Sequence, residues 1–97
     1  MDMEALMAQA QDLQSKISNA QDELAGMHVK GIAGNGGVVI DMTGKYDIVS
    51  VTIKPTALSL GAEKLSELVF DAYKDAKAKA DVLIDKTMSA ITGGLSE

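Results

Sequence analysis

Residues 28–54 have the sequence HVKGIAGNGGVVIDMTGKYDIVSVTIK, and this stretch decides the fold. It contains three runs rich in β-branched residues, at 28–33, 38–43 and 48–54, which two glycine-containing segments of turn composition separate. In the third run apolar and polar residues alternate, which predicts one buried face and one face that solvent partly reaches. Pro55 ends this run because proline has no N–H for the strand ladder. The stretch predicts a three-stranded antiparallel meander.

Helical patterns lie on both sides of this meander. Between Met3 and Met27 apolar residues recur at alternating steps of three and four, the heptad pattern of a helix that packs along a partner helix. A similar stripe runs through residues 62–92, and Gly93 with Gly94 predicts the end of that second helix. At a rise of about 1.5 Å per residue the first helix is on the order of 37 Å long, so we expect it to protrude or to pair.

These elements make one domain. The chain has 97 residues and a mass of 10.1 kDa, which leaves no room for a second core. We predict a single α+β domain over 1–97 in the order α-β-β-β-α, with a helix at 1–27, a three-stranded antiparallel sheet at 28–54 and a helix at 62–92. In a monomer, two long flanking helices would leave one face of the sheet and the apolar stripes of the helices, their seams, uncovered. We therefore expect a homodimer with twofold symmetry that buries the exposed sheet face or pairs the helical seams.

The composition excludes several classes of site. The chain has no cysteine, which rules out disulfides, thiolate zinc sites and cysteine nucleophiles. His28 is the only histidine, so a site that needs two histidines cannot form, and we interpret His28 as structural or exposed. The acidic N-terminal residues do not resemble a signal peptide, and no apolar run reaches the roughly 18 residues of a membrane helix. We expect a cytoplasmic protein that does not use a membrane.

The glycine-rich segments could be mistaken for phosphate-binding loops. Residues 34–37 lie between two predicted strands and lack the Gly-Lys-Ser/Thr ending and the following helix that a phosphate-binding loop requires. We interpret this segment, and the one that contains Gly44 and Lys45, as hairpin turns. The paired carboxylates fall on the helices, where such groups more often solvate a face than catalyse a reaction. We find no active site, so we predict a protein that is not an enzyme and has no cofactor, metal or small-molecule substrate.

The charges by themselves offer little support for DNA binding. The net charge is −5, and all nine basic residues are lysines, so no arginine is present for bidentate recognition of guanine or phosphate. The largest cationic group is the set of five lysines in the second helix, but aspartates are interleaved among them. Asp75 with Lys79, and Lys77 with Asp81, have the i,i+4 spacing of ion pairs on the exposed side of a helix. Composition alone favours a solvated helix face over a DNA-binding face.

Several short strings share their order and spacing with a known family. The strings are LMAQAQDLQ at 6–14, glycines at 31, 34, 36 and 37, Thr43-Gly44, VTIKPTAL at 51–58, and LV at 68–69 followed by AYKDA at 72–76. Through them the chain resembles the YbaB/EbfC family of bacterial nucleoid-associated proteins over essentially its whole length. In two places where family members often have Arg-Arg, this chain has Val49-Ser50 and Ala78-Lys79.

The resemblance implies both a fold and a function. It implies an α-β-β-β-α protomer in a tweezers-shaped homodimer with protruding helices, and a nucleoid-associated protein of the cytoplasm that binds duplex DNA with little sequence specificity. Binding of this kind would neutralise phosphates and bend or clamp the duplex without reading its bases. The residues that we expect to contact DNA are Lys74, Lys77, Lys79 and Lys86 on the second helix and Lys16 on the first.

A second interpretation is a protein-interaction module. Residues 1–27 contain five carboxylates and one lysine, Lys16, and the whole chain has no arginine. Both observations favour a partner other than DNA. In this interpretation the heptad helices bind a partner chain, as in a chaperone-like module, and DNA binding has been lost.

Overall fold

Two long helices and one antiparallel sheet make up the protein, in a computed structural model that describes residues 2–95 and the side chains of residues 2–91. The elements are α1 (Met3–Gly26), β1 (His28–Ala33), β2 (Val38–Thr43), β3 (Ile48–Ile53), α2 (Pro55–Leu58) and α3 (Ala62–Leu95). The α+β class and the α-β-β-β-α order predicted from the sequence are confirmed.

Two details of the helices differ from their prediction. The link after β3 contains the four-residue helix α2, because Pro55 both ends the strand and has a φ suited to the first turn of a helix. The second difference is that α3 continues through Gly93 and Gly94 to Leu95. Glycine lowers helix propensity by about 1 kcal/mol relative to alanine but adopts helical dihedral angles. A glycine pair is therefore a weak stop signal.

The C-terminal half of α1 attaches this helix to the rest of the protein. Asp2 caps its start, with the Glu4 N–H donating to the Asp2 carboxylate at 3.2 Å. Ala20 and Leu24 are buried, and the Gly44 N–H donates to the Leu24 carbonyl at 2.9 Å. Towards the N-terminus of α1 the side chains of the apolar stripe are exposed.

The sheet has the strand order β1-β2-β3, and both strand pairs are antiparallel. The register places Gly31 of β1 and Val51 of β3 on either side of Ile40 in the central strand. Val49 is an extra residue in β3, which makes a β-bulge in the β2–β3 pair. Residues 34–37 form the first hairpin turn, where three consecutive residues have positive φ. The prediction of a glycine-rich turn at this position is confirmed.

The core lies between the sheet and α3. Small side chains let α3 approach closely, since Ala72, Ala76 and Ala80 are fully buried. A Cβ on Gly31 would lie 1.9 Å from the Ala72 carbonyl oxygen and 2.6 Å from the Ala76 Cβ, so α3 contacts the backbone of β1 directly. The β2 side chains that fill the contact are Val38, Ile40 and Met42.

The long helices make the molecule elongated. Its principal extents are 67 × 20 × 16 Å and its radius of gyration is 19.0 Å, compared with about 13 Å for a compact chain of 100 residues. α1 runs towards the sheet and α3 away from it, and residues 16–23 of α1 lie across a cleft from residues 87–91 of α3. The first helix therefore both protrudes and pairs, as its heptad pattern predicts.

We predict that Gly31→Ala destabilises the fold. The new methyl group would overlap the Ala72 carbonyl and the Ala76 side chain, so α3 would have to move away from β1. Overpacking of this kind costs about 1–3 kcal/mol. Urea unfolding at a fixed protein concentration measures the difference.

Gly26→Ala is the matched control, because nothing lies within 4 Å of a Cβ placed at Gly26. We expect this variant to unfold with the wild type or at slightly higher urea, since alanine has the higher helix propensity. Equal midpoints for Gly31→Ala and the wild type would contradict the close approach of α3 to β1.

Candidate nucleic-acid interface

The four α3 lysines that are predicted to contact DNA lie on two flanks of the helix. At about 100° per residue, Lys74 and Lys77 fall on one flank, and Lys79 and Lys86 fall on the other. Lys79 identifies the second flank as the one nearest the outer edge of β1, because its ammonium donates a hydrogen bond to the Lys30 carbonyl. The structure therefore divides the predicted site into two pairs of lysines.

Lys79 takes part in the packing of α3 against β1. Its Nζ lies 2.7 Å from the Lys30 carbonyl oxygen and 2.9 Å from the Asp75 carboxylate. Asp75 in turn accepts a hydrogen bond of 2.9 Å from the Ile32 N–H. This backbone hydrogen bond, and then the Lys79 ammonium, lower the pKa of Asp75 below its ordinary value. Lys79 thus already has two acceptors within the protein.

The other candidate lysines are less constrained. Neither Lys77 nor Lys86 makes a side-chain hydrogen bond or ion pair within the described residues. Lys74 places its Nζ 5.3 Å from the centroid of the exposed Phe70 ring, a cation–π contact. Lys16 pairs at 3.2 Å with a carboxylate one turn earlier in α1, and exposed pairs of this kind add little stability.

An open cleft lies between α1 and α3. Its volume is about 340 Å³. Lys16 and Glu23 place opposite charges on the α1 side, and Thr87 and Ile91 lie on the α3 side. The structure therefore brings Lys16 close to the C-terminal part of α3, but the cleft itself is not a uniformly positive surface.

A tyrosine joins the β2–β3 turn to α3. The Tyr46 hydroxyl donates a hydrogen bond to the Asp81 carboxylate. This bond, which is the main cause, raises the pKa of Tyr46 above its ordinary value. The φ of Tyr46 is 68°, in the left-handed region that non-glycine residues rarely adopt. The contact with Asp81 helps to hold the turn in this conformation.

The side chains of β3 are exposed along its whole length. Ile48, Val51 and Ile53 are 50%, 46% and 41% exposed. The register pairs them with the buried residues of β2, so they point to the side of the sheet on which α3 lies. Because α3 packs over β1 and β2, these side chains remain uncovered. The prediction that one face of the third strand is buried is therefore wrong for the single chain.

Two aromatic residues of α3 extend this apolar area. Tyr73 lies about 200° around α3 from Asp75, on the flank towards β3, and interacts electrostatically with Tyr46 in the turn before β3. Phe70 lies on the same flank and is 61% exposed. The β3 surface is defined here as Ile48, Val51, Ile53, Phe70 and Tyr73.

His28 is an exposed residue of the sheet. Its Nδ1 lies 2.7 Å from an oxygen of the Asp41 carboxylate on the neighbouring strand. Among residues 2–95, no group of three or more His, Asp and Glu side chains is placed to hold a metal ion. In the same part of the chain, no helix combines the length and the apolar character needed to cross a membrane.

Comparison with known proteins identifies the family. A family model described as the YbaB/EbfC DNA-binding family matches residues 1–95. The chain belongs to the YbaB/EbfC family. One relative, the nucleoid-associated protein bll8115 of Bradyrhizobium diazoefficiens, is 40% identical over 97% of this chain and 90% of its own length. Another, the nucleoid-associated protein PCC7424_2224 of Gloeothece citriformis, is 39% identical over 98% of this chain and 83% of its own length.

A solved structure has the same fold. The crystal structure of the uncharacterized protein HP0035 from Helicobacter pylori matches with a TM-score of 0.64 and 18% identity, over 91% of this chain and 98% of that one. The resemblance to the YbaB/EbfC family predicted from the short strings is confirmed. The family is a DNA-binding family and is not known as a family of enzymes.

Sequence reasoning missed two contacts of this YbaB/EbfC chain. The i,i+4 spacing of Asp75 and Lys79 predicts their ion pair but contains no information about the β1 backbone groups that they bind. The bond between Tyr46 and Asp81 joins residues 35 positions apart, and no spacing rule predicts it. Both contacts depend on where α3 crosses the sheet. The predicted i,i+4 pair of Lys77 with Asp81 does not form among the described residues.

We predict that Asp75→Asn makes the thermal stability of the fold less dependent on pH in the acidic range. The pKa of Asp75 is lowered in the folded state, so its carboxylate stabilises the fold above the unfolded-state pKa of about 4. That contribution disappears as the pH falls through the folded-state pKa. The thermal midpoint of the wild type should exceed that of the variant at neutral pH, and the difference should shrink as the pH falls below the unfolded-state pKa of about 4.

Asp71→Asn is the control, because Asp71 makes no side-chain hydrogen bond or ion pair within the described residues. We expect its midpoint to follow the wild type over the same pH range. A difference for Asp75→Asn that stays constant with pH would count against the role assigned to this carboxylate.

Proposed function

We propose that this chain is a nucleoid-associated protein that binds duplex DNA as a homodimer, with little sequence specificity, and changes the conformation of the DNA. The observation that carries the proposal is the match of the YbaB/EbfC DNA-binding family model to residues 1–95. Relatives that are named nucleoid-associated proteins support the nucleoid, in the bacterial cytoplasm, as the place of action.

Lysines supply the DNA contacts in this proposal. A lysine ammonium is a compact point charge that neutralises a phosphate, but it does not make the planar bidentate contacts by which arginine recognises guanine. The chain has nine basic residues, all of them lysines. This chemistry supports contacts to phosphates without readout of the bases.

The exposed side of α3 is the favoured contact region. Lys77 and Lys86 have ammonium groups that no described carboxylate pairs with, and the Lys74 ammonium lies over the exposed Phe70 ring. Lys16 can exchange its exposed carboxylate for a phosphate, since such pairs are weak. Lys79 would have to leave two acceptors in the protein, so we rank it last among the five.

A second copy of the chain is the proposed cover of the β3 surface. The five side chains of that surface are large, apolar and exposed, whereas α3 already covers β1 and β2. Exposed apolar patches on small proteins often mark interaction sites. A twofold axis beside β3 would bring two β3 surfaces together, with Lys74 and Lys77 at the margin of the contact, and leave the ends of the long helices, where Lys86 lies, free to contact DNA.

We predict that the double variant Lys77→Ala, Lys86→Ala binds DNA more weakly and with a smaller salt dependence. Each lysine that contacts a phosphate contributes roughly 0.9 to the slope of log affinity against log salt concentration. Fluorescence anisotropy with a random 30-base-pair duplex, over a series of salt concentrations, measures both quantities. The loss should be the same on unrelated DNA sequences.

The double variant Lys30→Ala, Lys64→Ala changes the net charge equally and is the matched control. These lysines lie on β1 and near the start of α3, so we expect the salt slope of the wild type. Equal losses in the two double variants would assign the effect to net charge. If the wild type does not bind the duplex even at low salt, the DNA-binding proposal is wrong.

We predict that Val51→Lys prevents formation of the homodimer. A lysine at this position would place a charge in the middle of the β3 surface, where burial against a second copy would be costly. Light scattering should give twice the chain mass of 10.1 kDa for the wild type and the chain mass for the variant. Thr52→Lys is the control because Thr52 points to the other side of the sheet. A dimeric Val51→Lys variant would place the interface elsewhere.

The N-terminal part of α1 favours a second candidate function, a protein-interaction module. Met3 and Leu6 belong to the heptad stripe but are exposed, and the residues around them are acidic. A partner helix would cover this stripe. Purification of the wild type with and without nuclease distinguishes the two candidates, because a partner held by α1 survives nuclease treatment and one bridged by DNA does not.

A further inference from the structure

Two backbone groups at the outer edge of β1 are occupied by side chains of α3. An edge strand ordinarily presents free N–H and C=O groups to which a strand of another molecule can pair. On β1, the Ile32 N–H donates to the Asp75 carboxylate at 2.9 Å, and the Lys30 carbonyl accepts from the Lys79 ammonium at 2.7 Å. Asp75 and Lys79 also pair with each other at 2.9 Å, so the two contacts form one connected group.

The opposite edge of the sheet is different. β3 is the other edge strand, and among the described residues no side chain forms a hydrogen bond with its backbone. Its apolar side chains are exposed as well. The sheet therefore has one edge that is blocked by an ion pair and one that remains open.

This asymmetry determines what kind of assembly the sheet permits. If both edges were open, β1 of one copy could pair with β3 of the next, and a head-to-tail contact of this kind continues into a filament unless it closes into a ring. If only β3 is open, two copies meet through the same surface, and the contact is complete at two. A blocked β1 edge thus limits the number of copies that can associate.

We infer that the Asp75–Lys79 pair closes the β1 edge to further strands, so that copies of this chain associate through β3 alone and stop at a dimer. The inference rests on the proposed homodimer. It assigns Lys79 a role in controlling assembly rather than in contacting DNA. An incoming strand would have to displace a carboxylate and an ammonium that are already bound to the Ile32 and Lys30 backbone groups.

The double variant Asp75→Ala, Lys79→Ala tests this inference at unchanged net charge. With the β1 backbone groups released, we expect the Ile32 amide to exchange its hydrogen about tenfold faster or more. We expect the mass from light scattering to rise above twice the chain mass as the protein concentration increases. Hydrogen exchange at the β2–β3 pair, which lies away from the substitutions, reports whether the sheet is still folded.

The double variant Lys64→Ala, Glu67→Ala is the matched control. It removes another ion pair from the exposed surface of α3, with an N–O distance of 3.5 Å and no hydrogen bond to β1, and it also leaves the net charge unchanged. We expect wild-type mass and wild-type exchange at Ile32. Equal growth in the two double variants would overturn the inference.

Lys79→Met is a second variant for the case in which the double alanine variant does not fold. It keeps a long side chain at this position and the hydrogen bond from the Ile32 N–H to Asp75 but releases the Lys30 carbonyl. We therefore expect the mass to rise with protein concentration, but less steeply than for the double alanine variant. A folded Lys79→Met variant that keeps the wild-type mass at all concentrations overturns the inference.

The mass of the wild type separates this inference from the proposed homodimer. A wild type that is monomeric at all concentrations contradicts the homodimer. In that case, association of the Asp75→Ala, Lys79→Ala variant would still support closure of the β1 edge, and a monomeric variant would overturn it.

Discussion

The contact between α3 and the backbone of β1 at Gly31 is the constraint on which the rest of the structure depends. A Cβ at Gly31 would overlap Ala72 and Ala76, so the absence of a side chain there lets the helix lie directly on the strand. Because α3 lies so close, the alanines on its sheet-facing side are fully buried. The same closeness brings Asp75 and Lys79 within hydrogen-bonding distance of the outer edge of β1.

That position of α3 also explains what remains exposed. A single helix centred over β1 and β2 cannot reach across three strands spaced about 4.8 Å apart, so the apolar side of β3 stays uncovered. One side of the molecule is then closed by an ion pair, and the other carries the β3 surface. Beyond the sheet, α1 and α3 extend the protein to 67 Å and present lysines such as Lys86 to solvent. Of the lysines proposed to contact DNA, Lys86 thus lies away from the β3 surface, whereas Lys74 lies beside it.

Much of the fold could be predicted from local pattern. The strand segments were predictable because runs rich in β-branched residues lie between segments of turn composition, and α1 was predictable because its apolar stripe has a helical period. The short helix α2 was missed because Pro55 is compatible with both a strand end and a helix start. The burial of β3 was wrong because alternation shows that a face is apolar but not whether the same chain covers it. The contact of Lys79 with the β1 backbone was not predictable, since the i,i+4 spacing to Asp75 says nothing about which strand lies beside the helix.

The sequence by itself determined the element order, the lack of cysteine and arginine chemistry, and the family, because composition, periodicity and short strings are properties of the linear chain. Only the tertiary structure decided which edge of the sheet is blocked, which apolar face is uncovered and which lysines have partners within the protein. These properties depend on how closely α3 packs against β1, where the Asp75 carboxylate accepts a hydrogen bond from the Ile32 N–H, 43 residues away in the sequence. Distances between residues so far apart in sequence are set by packing, and no local pattern encodes them.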